Sequence, residues 1–396
     1  MKKFLSIVLS FAMIVGMLCS VPAIADETTT PQNYNDRVET LFNNDWQFWR
    51  ESSGSTKTTY ETFAAKDVEF ENINLPHDFS IETPFSTIGT TNRSGCLQGG
   101  TGWYKKTFTM PSELKDKRIV INFDGVYSHS YVYVNGTKVG TNVMGYISFA
   151  FDITDYLNFG FDKTNEIVVK VINAVPSERW YSGSGIYRDV TLIITDSVHV
   201  DYRGTAVSMP NLASTNGADG TLSAAVTVKN DSAEDTTATV KTTIEKDGVA
   251  TGTPAETEIN VAAGSKTTAT LSPAVENPAL WSVKTPNLYN LKTEVLVDGK
   301  VVDTYNTTFG YKFTEYNSES GFFLNGEPMK LKGVALHNDV GASLGTKAYD
   351  TAVKRYIDLV KDMGCNAIRT AHQSLSQNLM NYCAEVGIMV FYEVFD

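Results

Sequence analysis

The sequence predicts a multidomain protein in which two β-sandwiches precede a parallel α/β unit. Three observations predict this order. Short alternating strands fill residues 41–198, a Thr-, Ala- and Val-rich set of strands fills residues 199–312, and strands alternate with helices over residues 313–396. A period of two residues indicates half-buried sheets, whereas helical spacing between strands indicates a parallel sheet.

The first 25 residues are predicted to be a signal peptide. Lys2 and Lys3 precede the apolar stretch FLSIVLSFAMIVGML, and the small residues around Ala25 fit a cleavage site. The stretch is short for a membrane span, so we expect a secreted protein, extracellular or periplasmic. A polar leader follows over residues 26–40.

Charge and cysteine content exclude several classes of protein. The net charge is −12 and the basic residues form no run, which argues against a nucleic-acid partner. Cys96, Cys365 and Cys383 remain after signal cleavage, an odd number without metal-type spacing, so packed cores rather than disulfides must stabilise the chain. His337 and Asp339 form an isolated H-x-D, and no metal site is predicted.

The two β regions differ in size and composition. Residues 41–198 contain strands such as RIVINFDG and EIVVKVIN, and Asn135-Gly136 between YVYV and TKVG is typical of a tight hairpin turn. A β-sandwich of jelly-roll size fits this region. Residues 199–312 carry evenly spaced strands and turns that favour a smaller sandwich of immunoglobulin type, without its disulfide.

The third region, residues 313–396, reads as strand, helix, strand, helix, strand. Val353, Ile357, Val360 and Met363 lie at helical spacing before Gly364, and SQNLMNYCAEVG is a second helix with Ser376 as N-cap and Gly387 as its stop. The polar residues of this region fall where strands end, which is the ligand-binding edge of a parallel sheet.

Five motifs in one order resemble glycoside hydrolase family 2: LPHDF (75–79), RWYSGSGIYRDV (179–190), LKGVALHND (331–339), GCNAIRTAH (364–372) and YEVFD (392–396). Within that family the chain is most similar to secreted bacterial β-galactosidases. The resemblance implies a sugar-binding jelly roll, an immunoglobulin-like domain and the first three strands of a (β/α)8 TIM barrel. A complete barrel takes ~250 residues, so we expect residues 313–396 to be an incomplete one.

The resemblance also implies that both catalytic groups lie beyond Asp396. Retaining glycosidases use two carboxyl groups about 5–5.5 Å apart, and family members supply them as glutamates after barrel strands four and seven. Glu393 matches the acidic residue after strand three, which supports the site, so no acid/base role is expected for it. Some members bind Mg²⁺ or Na⁺ near the pocket, through residues at or beyond Asp396.

The remaining motif residues match the family's sugar pocket. The expected substrate-binding residues are Asp78, Glu178, Arg179, Trp180, His337, Asp339 and His372. Arg369, Glu393 and Asp396 are expected to support the site. Arg369 also has a purely structural interpretation as a salt bridge to Glu393, and the two roles are compatible. His372 is poorly explained as a core residue, because it lies at a strand end beside Arg and Thr.

Two functions from different classes remain. The first is the N-terminal part of a secreted exo-acting β-galactosidase, inactive alone, that acts on β-linked galactosides. The second is a carbohydrate-binding module without catalysis, which we would expect to stop near Lys312. A β-glucuronidase or β-mannosidase of the same family is a further alternative, and the sequence leaves the oligomeric state open.

Overall fold

The computed structural model describes residues 34, 36–51, 58–88, 90–175, 181–341 and 343–394. The predicted signal peptide and most of the polar leader lie outside these residues. The described part contains two β-sandwiches and then three parallel strands with two helices, which confirms the predicted fold class. None of the described helices is long and apolar enough to cross a membrane.

Twelve described strands build the first sandwich: β1 (Val38–Leu41), β2 (Trp46–Arg50), β3 (Glu71–Ile73), β4 (Gly100–Met110), β5 (Arg118–Phe123), β6 (Val126–Tyr127), β7 (His129–Val134), β8 (Thr137–Asn142), β9 (Phe149–Asp152), β10 (Gly160–Asn173), β11 (Gly185–Ile186) and β12 (Val190–Thr195). A six-stranded sheet, β3-β2-β4-β10-β7-β8, faces a four-stranded sheet, β1-β12-β5-β9. Trp46, Trp103 and Tyr104 are fully buried.

One helix of the first sandwich is not predicted from the sequence. Helix α1 (Tyr60–Ala64) spans five residues, which is too short to show a helical period. Single-turn 3₁₀ helices occupy Ser112–Leu114 and Thr154–Tyr156. The hairpin at Asn135-Gly136 is confirmed, because both residues have positive φ (47° and 83°) and Val134 pairs with Thr137.

Seven described strands build the second sandwich: β13 (Val198–Ser208), β14 (Ser223–Asn230), β15 (Thr236–Lys246), β16 (Val249–Val261), β17 (Lys266–Leu271), β18 (Tyr289–Val297) and β19 (Lys300–Phe309). They form a three-stranded sheet, β13-β14-β17, and a four-stranded sheet, β16-β15-β18-β19. Seven strands divided three and four match an immunoglobulin-like sandwich.

The α/β unit begins with a small antiparallel sheet of β20 (Thr314–Asn317), β21 (Gly321–Leu324) and β22 (Glu327–Pro328). The parallel sheet that follows contains β23 (Gly333–Leu336), β24 (Ala367–Thr370) and β25 (Met389–Phe391), connected by helices α2 (Asp350–Asp362) and α3 (Gln377–Val386). The predicted caps of α3 are confirmed. The Ser376 hydroxyl accepts the Leu379 N–H, and Gly387 adopts the left-handed conformation.

The apolar stripe of α2 is narrower than its sequence spacing predicts. Val353, Ile357 and Val360 are buried against the sheet, but Met363 follows the helix end and is 70% exposed. The strand within the LKGVALHND motif is also short, because only Gly333–Leu336 pairs with β24.

A buried carboxylate joins the first sandwich to the α/β unit. Asp78 is fully buried, and its Oδ2 accepts hydrogen bonds from the N–H and hydroxyl of Thr346, both at 3.0 Å. Its Oδ1 accepts the N–H groups of Ser80 (3.1 Å) and Ser184 (2.9 Å), and the Tyr181 hydroxyl donates to Oδ2. We call these five residues the Asp78 junction. Because a buried charge needs surrounding donors, the two units must meet in one arrangement.

Arg188 makes a second connection between the same two units. Its buried guanidinium donates to the carbonyl of Ser374 (2.7 Å) and the side chain of Asn338 (3.3 Å), both in the α/β unit. It also donates to the carbonyls of Asp124 (3.3 Å) and Tyr146 (3.2 Å) in the first sandwich. Arg188 therefore holds two loops of the α/β unit against the sandwich.

The immunoglobulin-like sandwich contacts both of its neighbours. Arg37, just before β1, donates through Nε and Nη2 to the fully buried carboxylate of Asp303, each at 3.0 Å, and the Val200 N–H donates to the same carboxylate at 2.7 Å. Trp281 donates through Nε1 to the carbonyl of Ala384 in α3 at 2.7 Å. All three units are thus held by buried polar contacts.

Substitution Gly183→Ala tests the Asp78 junction. Gly183 has φ +73°, and a Cβ there would lie 2.0 Å from Thr346 Oγ1 and 2.9 Å from Asp78 Oδ2. We expect the variant to lose about 1–3 kcal/mol more stability than backbone strain alone costs, because the added atom overpacks the junction. The measurement is the urea midpoint followed by tryptophan fluorescence. Gly264→Ala is the matched control, since Gly264 has φ +64° and open space at its Cβ. Equal shifts in the two variants would contradict the prediction.

Substitution Asp303→Ala tests the contact between the sandwiches. The variant leaves the Arg37 guanidinium buried without its bidentate partner, and we expect a loss of about 3–5 kcal/mol in unfolding free energy. Asp350→Ala is the control, because Asp350 forms an exposed pair with Lys354 at 2.9 Å that contributes at most about 0.5 kcal/mol. A loss in Asp303→Ala no larger than that of the control would refute the role of this pair.

Candidate functional site

Three parallel strands bring the predicted site residues to one edge. Leu336 pairs with Thr370 and Arg369 with Phe391, so the carboxyl ends of β23, β24 and β25 lie side by side. His337 follows β23, His372 follows β24 and Glu393 follows β25. This edge is where ligands bind in parallel α/β folds.

Glu393 is held at both carboxylate oxygens. Arg369 donates through Nε to Oε1, and the backbone N–H of His372 donates to Oε2 at 2.6 Å. The Glu393 N–H in turn donates to the hydroxyl of Thr370 at 2.8 Å. The expected pairing of Arg369 with Glu393 is therefore present, and it fixes the end of β25 against the end of β24.

These contacts also set the charge of Glu393. The hydrogen bond from the His372 N–H lowers the pKa of the Glu393 carboxyl, and Arg369 lowers it further. A carboxyl with a lowered pKa is ionised at neutral pH and is a poor proton donor. The expected supporting role of Glu393 in the site stays a prediction.

His372 has an unusual backbone conformation. Its φ is +64°, in the left-handed region that non-glycine residues seldom adopt. The bond from its N–H to Glu393 accompanies this conformation, and its Nδ1 lies 3.7 Å from Glu393 Oε2. Such backbone strain concentrates at functional sites, where the surrounding structure enforces it.

His337 lies beside His372, with ring centroids 5.8 Å apart. Burial lowers the pKa of His337, and the neighbouring His372 and Arg369 lower it further, against the opposing effect of Asp339. The imidazole is therefore neutral at pH 7, with one nitrogen that donates and one that accepts. That pattern suits a sugar hydroxyl, which also donates and accepts.

Asp78 belongs to the first sandwich, and Asp339 lies on the loop after β23. Asp78 is enclosed in the Asp78 junction, where five donors already bond its carboxylate, so the geometry assigns it to domain assembly instead of an open sugar contact. Asp339 is exposed, and its charge acts on Tyr181. Burial raises the pKa of Tyr181 well above its usual range, and the carboxylates of Asp78 and Asp339 raise it further.

Four predicted site residues lie outside the described part: Glu178, Arg179, Trp180 and Asp396. Their proposed roles stay predictions. Of the residues that the structure does describe, Arg369, His372, Glu393 and His337 come together as one group.

Sequence reasoning missed two buried polar residues near this group. Thr346 completes the Asp78 junction, and no local pattern distinguishes it from any loop threonine. Gln373, directly after His372, is fully buried, and neither atom of its amide has a hydrogen-bond partner in the described part of the chain. Its position directly after His372 is the sequence feature that could have indicated it.

The described residues do not fit a metal ion. No group of three His, Cys, Asp or Glu side chains within them is placed to hold one. The Glu393 carboxylate, beside His372, is already bonded to Arg369 and to the His372 N–H.

Three protein-family models match consecutive parts of the chain. The sugar binding domain of glycosyl hydrolases family 2 matches residues 65–196, the model described as glycosyl hydrolases family 2 matches residues 205–312, and the TIM barrel domain of that family matches residues 317–394. Together they follow the order of the three structural units.

Named relatives and a solved structure are also similar to most of this chain. The β-galactosidase BoGH2A of Bacteroides ovatus is 36% identical over 91% of this chain and 41% of its own length. A β-glucuronidase of Formosa agariphila is 30% identical over 86% of this chain and 36% of its own length. The crystal structure of a β-glycosidase from Bacteroides vulgatus superposes with a TM-score of 0.77 at 34% identity, over 90% of this chain and 44% of that one.

The chain thus spans less than half the length of each of these three relatives. Its three units, their order and the polar group at the ends of its parallel strands all agree with the family matches, and the chain belongs to glycosyl hydrolase family 2.

Proposed function

We propose that this chain is the N-terminal, sugar-binding part of a retaining exo-β-glycosidase that hydrolyses terminal β-galactosides. The observation that carries the proposal is the group formed by Arg369, His372, Glu393 and His337 at the ends of three parallel strands. In a barrel enzyme these ends surround the substrate. Membership of a glycosidase family supplies the reaction class.

In this proposal the chain binds and orients the sugar, and later barrel strands supply the chemistry. Retaining hydrolysis needs an acid/base carboxyl and a nucleophilic carboxylate about 5–5.5 Å apart. The lowered pKa of Glu393 makes it a poor acid, and the bonds from Arg369 and the His372 N–H occupy both of its oxygens, which argues against a nucleophilic role. Its proposed task is to hold His372 and Arg369 in position.

A neutral sugar fits the described group better than a uronic acid does. A glucuronide carries a carboxylate that calls for a cationic partner, but Arg369 is already paired with Glu393. The neighbouring His337 is neutral at pH 7, because burial and nearby positive charge lower its pKa. These features favour a galactoside over the glucuronides that some relatives are named for.

Further parts of the proposal rest on sequence. Secretion would follow cleavage near Ala25, with domain boundaries near residues 198 and 312. Glu178, Arg179 and Trp180 would reach the sugar from the first sandwich. A carbohydrate-binding module without catalysis is the second candidate function, and the match of residues 65–196 to a sugar binding domain supports it.

The purified 396-residue chain is expected not to hydrolyse an aryl β-galactoside. Neither proposed catalytic glutamate belongs to it, so release of the aryl alcohol should equal the buffer blank. The aryl β-glucuronide and β-mannoside serve as parallel substrates. Turnover of any of the three above the blank would refute the assignment of catalysis to later strands.

The mass of the secreted protein in its native source separates the two candidate functions. It is detected by mass spectrometry through the peptide WYSGSGIYR. A species well above 43.5 kDa, cleaving the aryl β-galactoside, supports the enzyme. A species just below that mass supports the binding module.

His372→Ala in the enzyme with a complete barrel tests the sugar-binding group. We expect kcat/KM for the aryl β-galactoside to fall about tenfold to a hundredfold, because one or two hydrogen bonds to the sugar are lost at about 1–1.5 kcal/mol each. His129→Ala, at an exposed position on β7, is the control and should leave kcat/KM unchanged. An unchanged value in His372→Ala would remove His372 from the site.

A further inference from the structure

A cleft of about 550 Å³ lies where all three structural units meet. The first sandwich contributes Asn122, the immunoglobulin-like sandwich contributes Tyr202, Arg203 and Asn306, and helix α3 contributes Asn381. None of the residues of the candidate functional site lines it. Its volume falls within the range of ligand sites, about 300–1,000 Å³, and domain interfaces are a preferred place for such sites.

A β-bulge shapes one wall of this cleft. The pairing of β13 with β14 shifts register between Val200 and Thr205, and Arg203 within the bulge has φ +51°. Gly204 permits the close approach, since a Cβ there would lie 2.9 Å from the carbonyl oxygens of Asp201 and Thr227. Bulges redirect side chains, and here Tyr202 and Arg203 both line the cleft.

Several of the polar groups that line the cleft are bonded to each other or to a neighbour. Tyr202 donates to Asn122 Oδ1 at 2.7 Å, and the Asp189 carboxylate accepts Asn43 Nδ2 at 2.8 Å and Asn378 Nδ2 at 3.0 Å. These bonds join the first sandwich to each of the other two units. The walls of the cleft are therefore fixed before any ligand binds, which lowers the entropy cost of binding.

Other polar groups in the cleft keep their bonding capacity. The Arg203 side chain is 51% exposed, and its Nη2 lies 4.0 Å from Asp124 Oδ1, too far for a hydrogen bond. Asn381 uses its Oδ1 to accept Gln377 Nε2 at 2.8 Å, and its amide nitrogen is a further donor.

The lining chemistry selects a class of ligand. The charged residues of the cleft are two arginines, Arg37 and Arg203, and three carboxylates, Glu39, Asp124 and Asp189. This near balance disfavours a phosphate or a metal cation. Amides, hydroxyls and aromatic rings side by side are instead the groups that bind the hydroxyls and faces of sugars.

We propose that this cleft is a second, non-catalytic binding site for a neutral disaccharide. Asn122, Asn381 and Asn306 provide amides to its hydroxyls, and Arg203 provides charged donors at the open side. The site is separate from the group at the strand ends, so it does not depend on the chain's being part of a β-galactosidase.

Titration of the purified chain with lactose, followed by saturation-transfer NMR, tests the proposal. We expect the double variant Arg203→Ala/Asn381→Ala to weaken the dissociation constant by about tenfold or more, because several hydrogen bonds are lost together. Arg355→Ala, an exposed arginine on α2, controls for removal of charge. Asn306→Ala, on a different unit, should weaken binding in the same direction and guards against misfolding of the double variant.

His372→Ala separates this site from the candidate functional site. The proposal requires that the cleft variants weaken lactose binding while His372→Ala leaves the cleft affinity within about twofold. It is overturned if the chain does not bind lactose, if the cleft variants bind as the unmodified chain does, or if His372→Ala alone abolishes binding. The last result would still support the proposed sugar-binding group at the strand ends.

Discussion

The burial of the Asp78 carboxylate is the constraint on which the arrangement of the chain depends. A charge removed from water is costly unless hydrogen-bond donors replace the water, and here the donors come from two structural units. Neither unit satisfies the carboxylate by itself. The loop that carries Thr346 must therefore lie against the first sandwich, and this loop leads from β23 to α2 beside the histidine pair. The packing of the α/β unit on the first sandwich therefore depends on this contact.

Other buried polar groups extend the same principle around the molecule. Arg188 reaches the loops after β23 and β24, Arg37 joins the two sandwiches through Asp303, and Trp281 donates to the end of α3. Each contact has a defined direction, unlike apolar packing, and together they fix three units that have separate apolar cores. This explains how a rigid cleft and a group of site residues coexist in a chain built from independent sandwiches.

The features that the sequence predicts correctly are those that depend on residues close together in the chain. Alternating apolar residues gave the sandwiches, and Ser376 and Gly387 gave the limits of α3, because caps depend on neighbours within a few residues. Arg369, His372 and Glu393 were predictable as a group, since parallel strands align their ends. Asp78 was expected at the sugar, and its enclosure depends on Thr346, a residue distant in sequence that no local pattern connects to it. Met363 was placed on the apolar face by spacing alone, although the helix ends one residue earlier.

Because Asp78 and Thr346 are far apart in sequence, the ribosome synthesises the residues of the Asp78 junction at different times. The two residues are 268 positions apart, and ribosomes add about 5–20 residues per second, so roughly 13–54 s pass between their appearances during synthesis. Tyr181, Ser184 and Ser80 belong to the first sandwich and are available much earlier. Until Thr346 is synthesised, only donors of the first sandwich are available to the Asp78 carboxylate, so the bonds to the α/β unit must form last.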